Sequence, residues 1–99
     1  MNTQLVAKAF KELGHPSRLS IFRTLVKAGH KGMPVGEIKE LLDIPNSTLS
    51  HHVSALVAAG LIRQHREGTT LFCIPLYDTL DSLIEFLVKD CCVGRDDQK

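Results

Sequence analysis

Two groups of side chains in this 99-residue chain have types and spacing suited to chemistry. The first is Ser47, Thr48, Ser50, His51 and Ser54, all short or planar hydrogen-bonding residues within eight positions, with no acidic residue between Asn46 and Gly60. Hydroxyls and imidazoles can donate to phosphates or base edges and permit close approach, and the lack of carboxylates removes a repulsion that a polyanion would meet. A merely solvated polar face, or a protein interface, is the alternative. The second is the adjacent pair Cys91-Cys92, with Cys73 as the remaining cysteine. Thiolates are soft ligands, and a soft metal or metalloid ion that favours three sulfurs would find two of them in adjacent cysteines at a flexible helix end. The candidates for the third are Cys73, an exogenous thiol and a cysteine of a partner subunit. Cys73 sits in an apolar row and also reads as a small buried packing residue. Oxidation or reactive-sulfur sensing, another soft metal and no sensing role remain open for the pair. A disulfide between neighbours in sequence is strained, so Cys91-Cys92 reads as two thiols.

Around the hydroxyl-rich cluster lie further cations. Arg63, His65 and Arg66 precede a Glu67-Gly68 turn, and Thr69 and Thr70 follow it. A cationic hairpin tip beside a helix can enter a minor groove or grip its backbone, although arginines of this kind are often only solvated. Arg18, Lys27 and Lys39 add diffuse attraction. His52 adjoins His51 on a different azimuth, next to the apolar stripe, and reads as a packing and hydrogen-bonding histidine.

The positioning elements follow from periodicity. Residues 4–13 place Leu5, Val6, Ala9, Phe10 and Leu13 at helical spacing. Gly14-His15-Pro16 ends that helix, and Pro16 opens a second running to about Ala28. Residues 29–32 form a loop. A short helix spans Val35–Leu42, Asp43-Ile44-Pro45-Asn46 breaks it, and a longer one runs from Ser47 to Ala59, stopped by Gly60. Leu61–Arg66 and Thr69–Ile74 have strand character, and Leu76–Lys89 returns to helical spacing. The expectation is a mainly α fold with a β-hairpin wing: a winged helix-turn-helix of order H-H-H-H-β-β-H, in which Val35–Leu42 and Ser47–Ala59 form the helix-turn-helix and the second of the two contacts duplex DNA.

Composition sets the bounds. Hydrophobic residues are 43% and charged residues 23%, ordinary globular values, and the length suits one domain, 1–99, with 90–99 as a flexible tail carrying the thiol pair. Net charge is only +1, but residues 1–72 hold nine basic against five acidic residues (+4), and 73–99 hold three against six (−3). That asymmetry turns the C-terminal segment away from a polyanion. The N-terminus lacks an apolar signal region, and no apolar run approaches the roughly 18 residues of a membrane span, so cytoplasmic residence without membrane association is expected. No phosphate loop, zinc-protease motif or nucleophilic triad is present, which argues against an enzyme.

Two apolar faces remain unassigned. Leu5, Val6 and Phe10 near one end, and Leu80, Leu83, Ile84 and Leu87 near the other, are expected to pair across a two-fold axis. Two reading heads then meet successive half-sites of a palindromic operator. Closure of the monomer core is the other use for these helices.

The stretch Leu13-Gly14-His15-Pro16-Ser17-Arg18-Leu19, the run from Ser47 to Leu56, Ala59-Gly60-Leu61-Ile62 and Arg66-Glu67-Gly68 together resemble the ArsR/SmtB family of bacterial metalloregulatory repressors, over about residues 5–88. The resemblance implies a homodimer built from first and last helices that needs no cofactor to bind its operator and leaves it when an inducer binds. Where many arsenic sensors carry Cys-Val-Cys-Asp and a further cysteine, this chain has Pro34-Val35-Gly36-Glu37 and Lys39. The zinc and nickel type uses Asp and His along the last helix, but here Asp78, Asp81 and Glu85 have no histidine after His65. Asp90-Cys91-Cys92-Val93-Gly94 is similar to the Asn-Cys-Cys-x-Gly helix end of a subgroup that senses trivalent arsenic. That subgroup has a third cysteine downstream, whereas this chain ends in Gln98-Lys99. Trivalent arsenic or antimony is the inducer this resemblance implies.

Overall fold

The computed structural model describes residues 1–94. Helix α1 spans Thr3–Leu13, capped by Asn2, whose Oδ1 accepts from the Leu5 amide at 2.8 Å. Helix α2, Pro16–Ala28, starts on proline, and the His15 Nδ1 accepts from the Ser17 amide at 3.2 Å. Strand β1 (Met33–Pro34) leads directly into α3 (Val35–Leu42). Residue Asp43, in left-handed conformation (φ 53°), and Pro45 turn the chain into α4, Asn46–Ala58. Strands β2 (Ile62–Glu67) and β3 (Thr70–Pro75) make the hairpin, and α5 spans Tyr77–Val88. The winged helix-turn-helix and its helix order are as expected from the periodicity.

Two local features differ from what the spacing predicts. Strand β1 adds a third strand, so the antiparallel sheet has the order β1-β3-β2, with Met33 opposite Cys73 and Pro34 opposite Phe72. Two residues are too few for a period-2 signal, and a proline is tolerated there because the strand lies on an edge. The hairpin turn is Gly68-Thr69 rather than Glu67-Gly68, since Glu67 still pairs with Thr70. A positive φ of 61° at Gly68 suits the first central position of a two-residue hairpin loop.

One core joins the elements. Val6 and Ala9 of α1, Ile21, Phe22 and Leu25 of α2, and Ile38 of α3 meet Leu49, Val53 and Leu56 of α4, with Leu61, Ile62, Cys73 and Leu83 completing it. Tyr77 pins the start of α5 to the end of α2 by donating its hydroxyl to the Val26 carbonyl at 2.6 Å. Among the described residues no helix is long and apolar enough to cross a membrane.

The core also revises the proposed subunit face. Val6 (4% exposed) and Leu83 (1%) are buried within the chain itself, so neither is available to a partner. Each belongs to the inward i, i+3 row of its helix, with Ala9 and Leu80 respectively. Leu5, Phe10, Ile84 and Leu87 lie on the outward rows and remain exposed, joined there by Val88. Leu80 is partly buried against the core.

The approach of β1 to β3 depends on Gly32. Its φ is +72°, and a Cβ there would stand 2.0 Å from the Cys73 carbonyl oxygen. Gly32→Ala is expected to lower stability in urea unfolding by about 2–4 kcal/mol, combining overpacking with backbone strain. Gly36→Ala, whose added Cβ meets open space, is the control and should change stability by no more than about 1 kcal/mol.

Candidate nucleic-acid interface

Helix α4 turns a buried row into an exposed one. Leu49, His52, Val53 and Leu56 face the core. The helical period therefore sends Asn46, Ser47, Thr48, Ser50, His51 and Ser54 outward, and all six are exposed. Pro45 supplies no side-chain cap, and the first turn has no acidic residue. The amides of that turn are thus open toward solvent with the positive end of the helix dipole behind them, a favourable setting for a phosphate.

The hairpin stands beside this face. Alternation along β2 puts Gln64 and Arg66 on the side of Ile62, and Arg63, His65 and Glu67 on the other. Gln64 and Leu71 line a cleft of about 210 Å³ with Asn46, Ser50 and Ser54 of α4. Arg66 shares the strand face of Gln64, and Thr69 is exposed at the tip. Arg63 lies apart from them. It lines a different cleft at the base of the hairpin with His30, Tyr77, Asp78 and Thr79. His65 faces Glu67 at 3.3 Å, so this carboxylate near the tip has a histidine beside it. Residue types and spacing alone did not single out Asn46 or Gln64, whose amides match adenine edges in type. Strand alternation with Arg66 is the sequence signal that could have found Gln64.

Arg18 is not a diffuse surface cation. Its side chain is 15% exposed, is ion-paired with Glu12 of α1, and donates from Nε to Nδ1 of His52 at 3.1 Å. The His15 ring packs against the His52 ring with centroids 4.6 Å apart. His52 is therefore the buried hydrogen-bonding histidine anticipated from its azimuth. Burial pushes its pKa down, and His15, Arg18 and His51 push it the same way.

The cysteines divide. Cys73 is fully buried on β3, and burial raises its pKa, partly offset by the Gln64 side chain. Cys91 and Cys92 are exposed in the turns after α5, with their sulfurs 2.9 Å apart, and the contact with Cys91 raises the Cys92 pKa. Asp90 and Cys92 both have positive φ, 59° and 68°. Among the described residues no three His, Cys, Asp or Glu side chains gather as a metal site, so Cys73 does not join the pair within one chain. Its place in the core, between Met33 and Gln64 in the sheet, is the reason. The remainder of the expected tail, residues 95–99, lies outside the described residues. Native protein treated with iodoacetamide is expected to lose two thiols quickly and the third only on unfolding, as read by mass spectrometry. Three equal rates would contradict the burial of Cys73.

Comparison with known proteins agrees with this architecture. A family described as a helix-turn-helix domain matches residues 13–65, more than half of the chain. An uncharacterized HTH-type transcriptional regulator of Methanocaldococcus jannaschii is 35% identical, over 82% of this chain and 89% of that one. The arsenical resistance operon repressor of Bacillus subtilis is 31% identical, over 87% and 78%. A homodimeric winged helix-turn-helix DNA-binding domain from Mycobacterium bovis, described as a possible ArsR-family regulator, superimposes with a TM-score of 0.70 at 25% identity, over 97% and 87%. With the α3–turn–α4 unit and the hairpin wing in place, the chain belongs to the ArsR-like family of winged helix-turn-helix transcriptional regulators.

Proposed function

We propose that two copies of this chain bind a palindromic operator and repress transcription from it. The observation that carries the reading is the carboxylate-free, exposed N-terminal half of α4 beside the hairpin tip. Ser47, Thr48, Ser50, His51 and Ser54 read or grip the major groove, Arg66 and Thr69 meet the neighbouring backbone or minor groove, and Arg63 acts only at the hairpin base. The outward rows of α1 and α5 (Leu5 and Phe10, Ile84 and Leu87) form the subunit contact, as their exposure in one chain supports. A homodimeric Mycobacterium bovis relative of the same fold adds support.

The test is fluorescence anisotropy of the reduced protein on its own promoter DNA. Thr48→Ala and His51→Ala are expected to relax base preference, with each lost base contact costing about 1–3 kcal/mol, whereas Arg66→Ala should weaken binding to all sequences and reduce the salt slope by about 1. Unchanged operator specificity in both α4 variants would remove them from the reading set.

A second reading gives the repressor a chemical trigger at Cys91 and Cys92, favoured by their being exposed and 2.9 Å apart while Cys73 is buried. Oxidants or reactive sulfur species act on exposed thiols directly. Trivalent arsenic or antimony would take these two sulfurs and a third from an exogenous thiol or the partner subunit. Replacing both cysteines by serine is expected to preserve operator binding and abolish release. Release of wild type by stoichiometric arsenite selects the arsenic chemistry; release only by persulfide or peroxide selects the other. A response that survives in the double variant places the sensor elsewhere.

A further inference from the structure

We infer that Arg18 and His52 are positioning residues that hold the reading helix α4 against α1, the helix carrying part of the proposed subunit face, and that they do so only while His52 is neutral. The inference rests on the reading of α4 as the DNA-contacting helix.

The geometry leaves little choice of protonation state. A guanidinium has only N–H groups to offer, so the 3.1 Å contact from Arg18 Nε requires a lone pair on His52 Nδ1. That is the neutral imidazole with its proton on Nε2. Arg18 simultaneously pairs with Glu12, so a single side chain from α2 joins α1 to α4. His52 is 5% exposed and is followed in the same helix by Ser54, with His51 and Ser50 just before it. A shift of α1 is therefore transmitted to the reading face through one short, partly buried chain of contacts, and a change at His52 is transmitted back.

Acid breaks the chain. Protonation would set two donors against each other and place an imidazolium beside a guanidinium, away from water. The groups facing His52 are Arg18 of α2, His15 at the α1–α2 joint and His51 of α4, with Glu12 of α1 behind Arg18. Among the described residues Arg18 is the cation bonded to His52, and the Glu12 carboxylate is already taken by Arg18. Because the folded form favours neutral His52, the contribution of the tie is complete above the ordinary histidine pKa of about 6.5 and is lost as pH falls below it toward the folded value. The direction is diagnostic. Added positive charge on the surface strengthens attraction to DNA, whereas protonation of His52 releases the helix that does the reading.

The experiment compares wild type with His52→Asn, whose Oδ1 can accept from Arg18 in place of Nδ1 and does not titrate. Operator affinity is measured by anisotropy at pH 7.5 and 5.5 at one salt concentration, and thermal unfolding of the DNA-free proteins is followed at the same pH values. Wild type is expected to lose about fivefold in affinity relative to the variant on acidification, the lower end of couplings between sites, and its Tm should fall further. Arg18→Lys, with no fork to span both partners, should already bind weakly at pH 7.5 and show little further loss. Parallel wild-type and variant curves in both measurements would overturn the inference. Failure of wild type to bind operator at either pH would instead overturn the DNA reading, with the melting curves still deciding the Arg18–His52 tie. Nitrogen-15 NMR of wild type at pH 7 probes the tie without any variant: an unprotonated Nδ1 on His52 is expected, and a protonated one excludes the bond.

Discussion

Withdrawal of Leu49, Val53 and Leu56 from water is the constraint on which the rest of the molecule depends. Each such side chain contributes roughly 1.5–3 kcal/mol by burial, and together they allow α4 one azimuth. Once that azimuth is set, a 3.6-residue period leaves Ser47, Thr48, Ser50, His51 and Ser54 no inward position. The polar face is presented to solvent as a consequence of packing, with no separate device needed to aim it. The hairpin completes the arrangement because Leu61 and Ile62 enter the same core immediately after the helix. The wing and α4 are thus anchored to one set of apolar contacts.

The same logic divides the terminal helices. Both α1 and α5 have more apolar residues than one core can receive. Val6, Ala9 and Leu83 are consumed internally, while Leu5, Ile84, Leu87 and Val88 are left in water. Apolar side chains grouped in exposed helix rows are costly to leave uncovered, and the proposed second copy of the chain would offer the same rows. The helix α1 that carries part of that face also reaches α4 through Glu12 and Arg18. In the proposed dimer, subunit geometry and the position of α4 would be connected by side chains as well as by the shared core.

Polar groups inside the molecule are few and mutually satisfied. Among the described residues no buried side-chain nitrogen or oxygen lacks a partner. His52 is tolerated in the core row of α4 because Arg18 supplies its hydrogen bond, and Arg18 is tolerated because Glu12 balances its charge. The thiols follow the opposite pattern. Cys73 behaves as a core residue of the sheet, and the two cysteines after α5 sit where reagents can reach them.

Helix order, the hairpin, the outward polar face of α4 and the inward placement of His52 were legible in the sequence, because periodicity alone determines which residues share a side. Charge distribution added which end of the chain should avoid a polyanion. Three things were decided only by tertiary structure. Strand β1 has no period of its own and exists because β3 offers an edge and Gly32 lets the chains approach. Val6 and Leu83 looked like subunit contacts because an apolar helix face does not reveal which of its rows another element has already covered. Arg18 looked like a surface cation because its partners, six and thirty-four residues away, are brought together only when α1, α2 and α4 pack. Local spacing determines direction along a helix; the choice among partners belongs to the packing of elements distant in sequence.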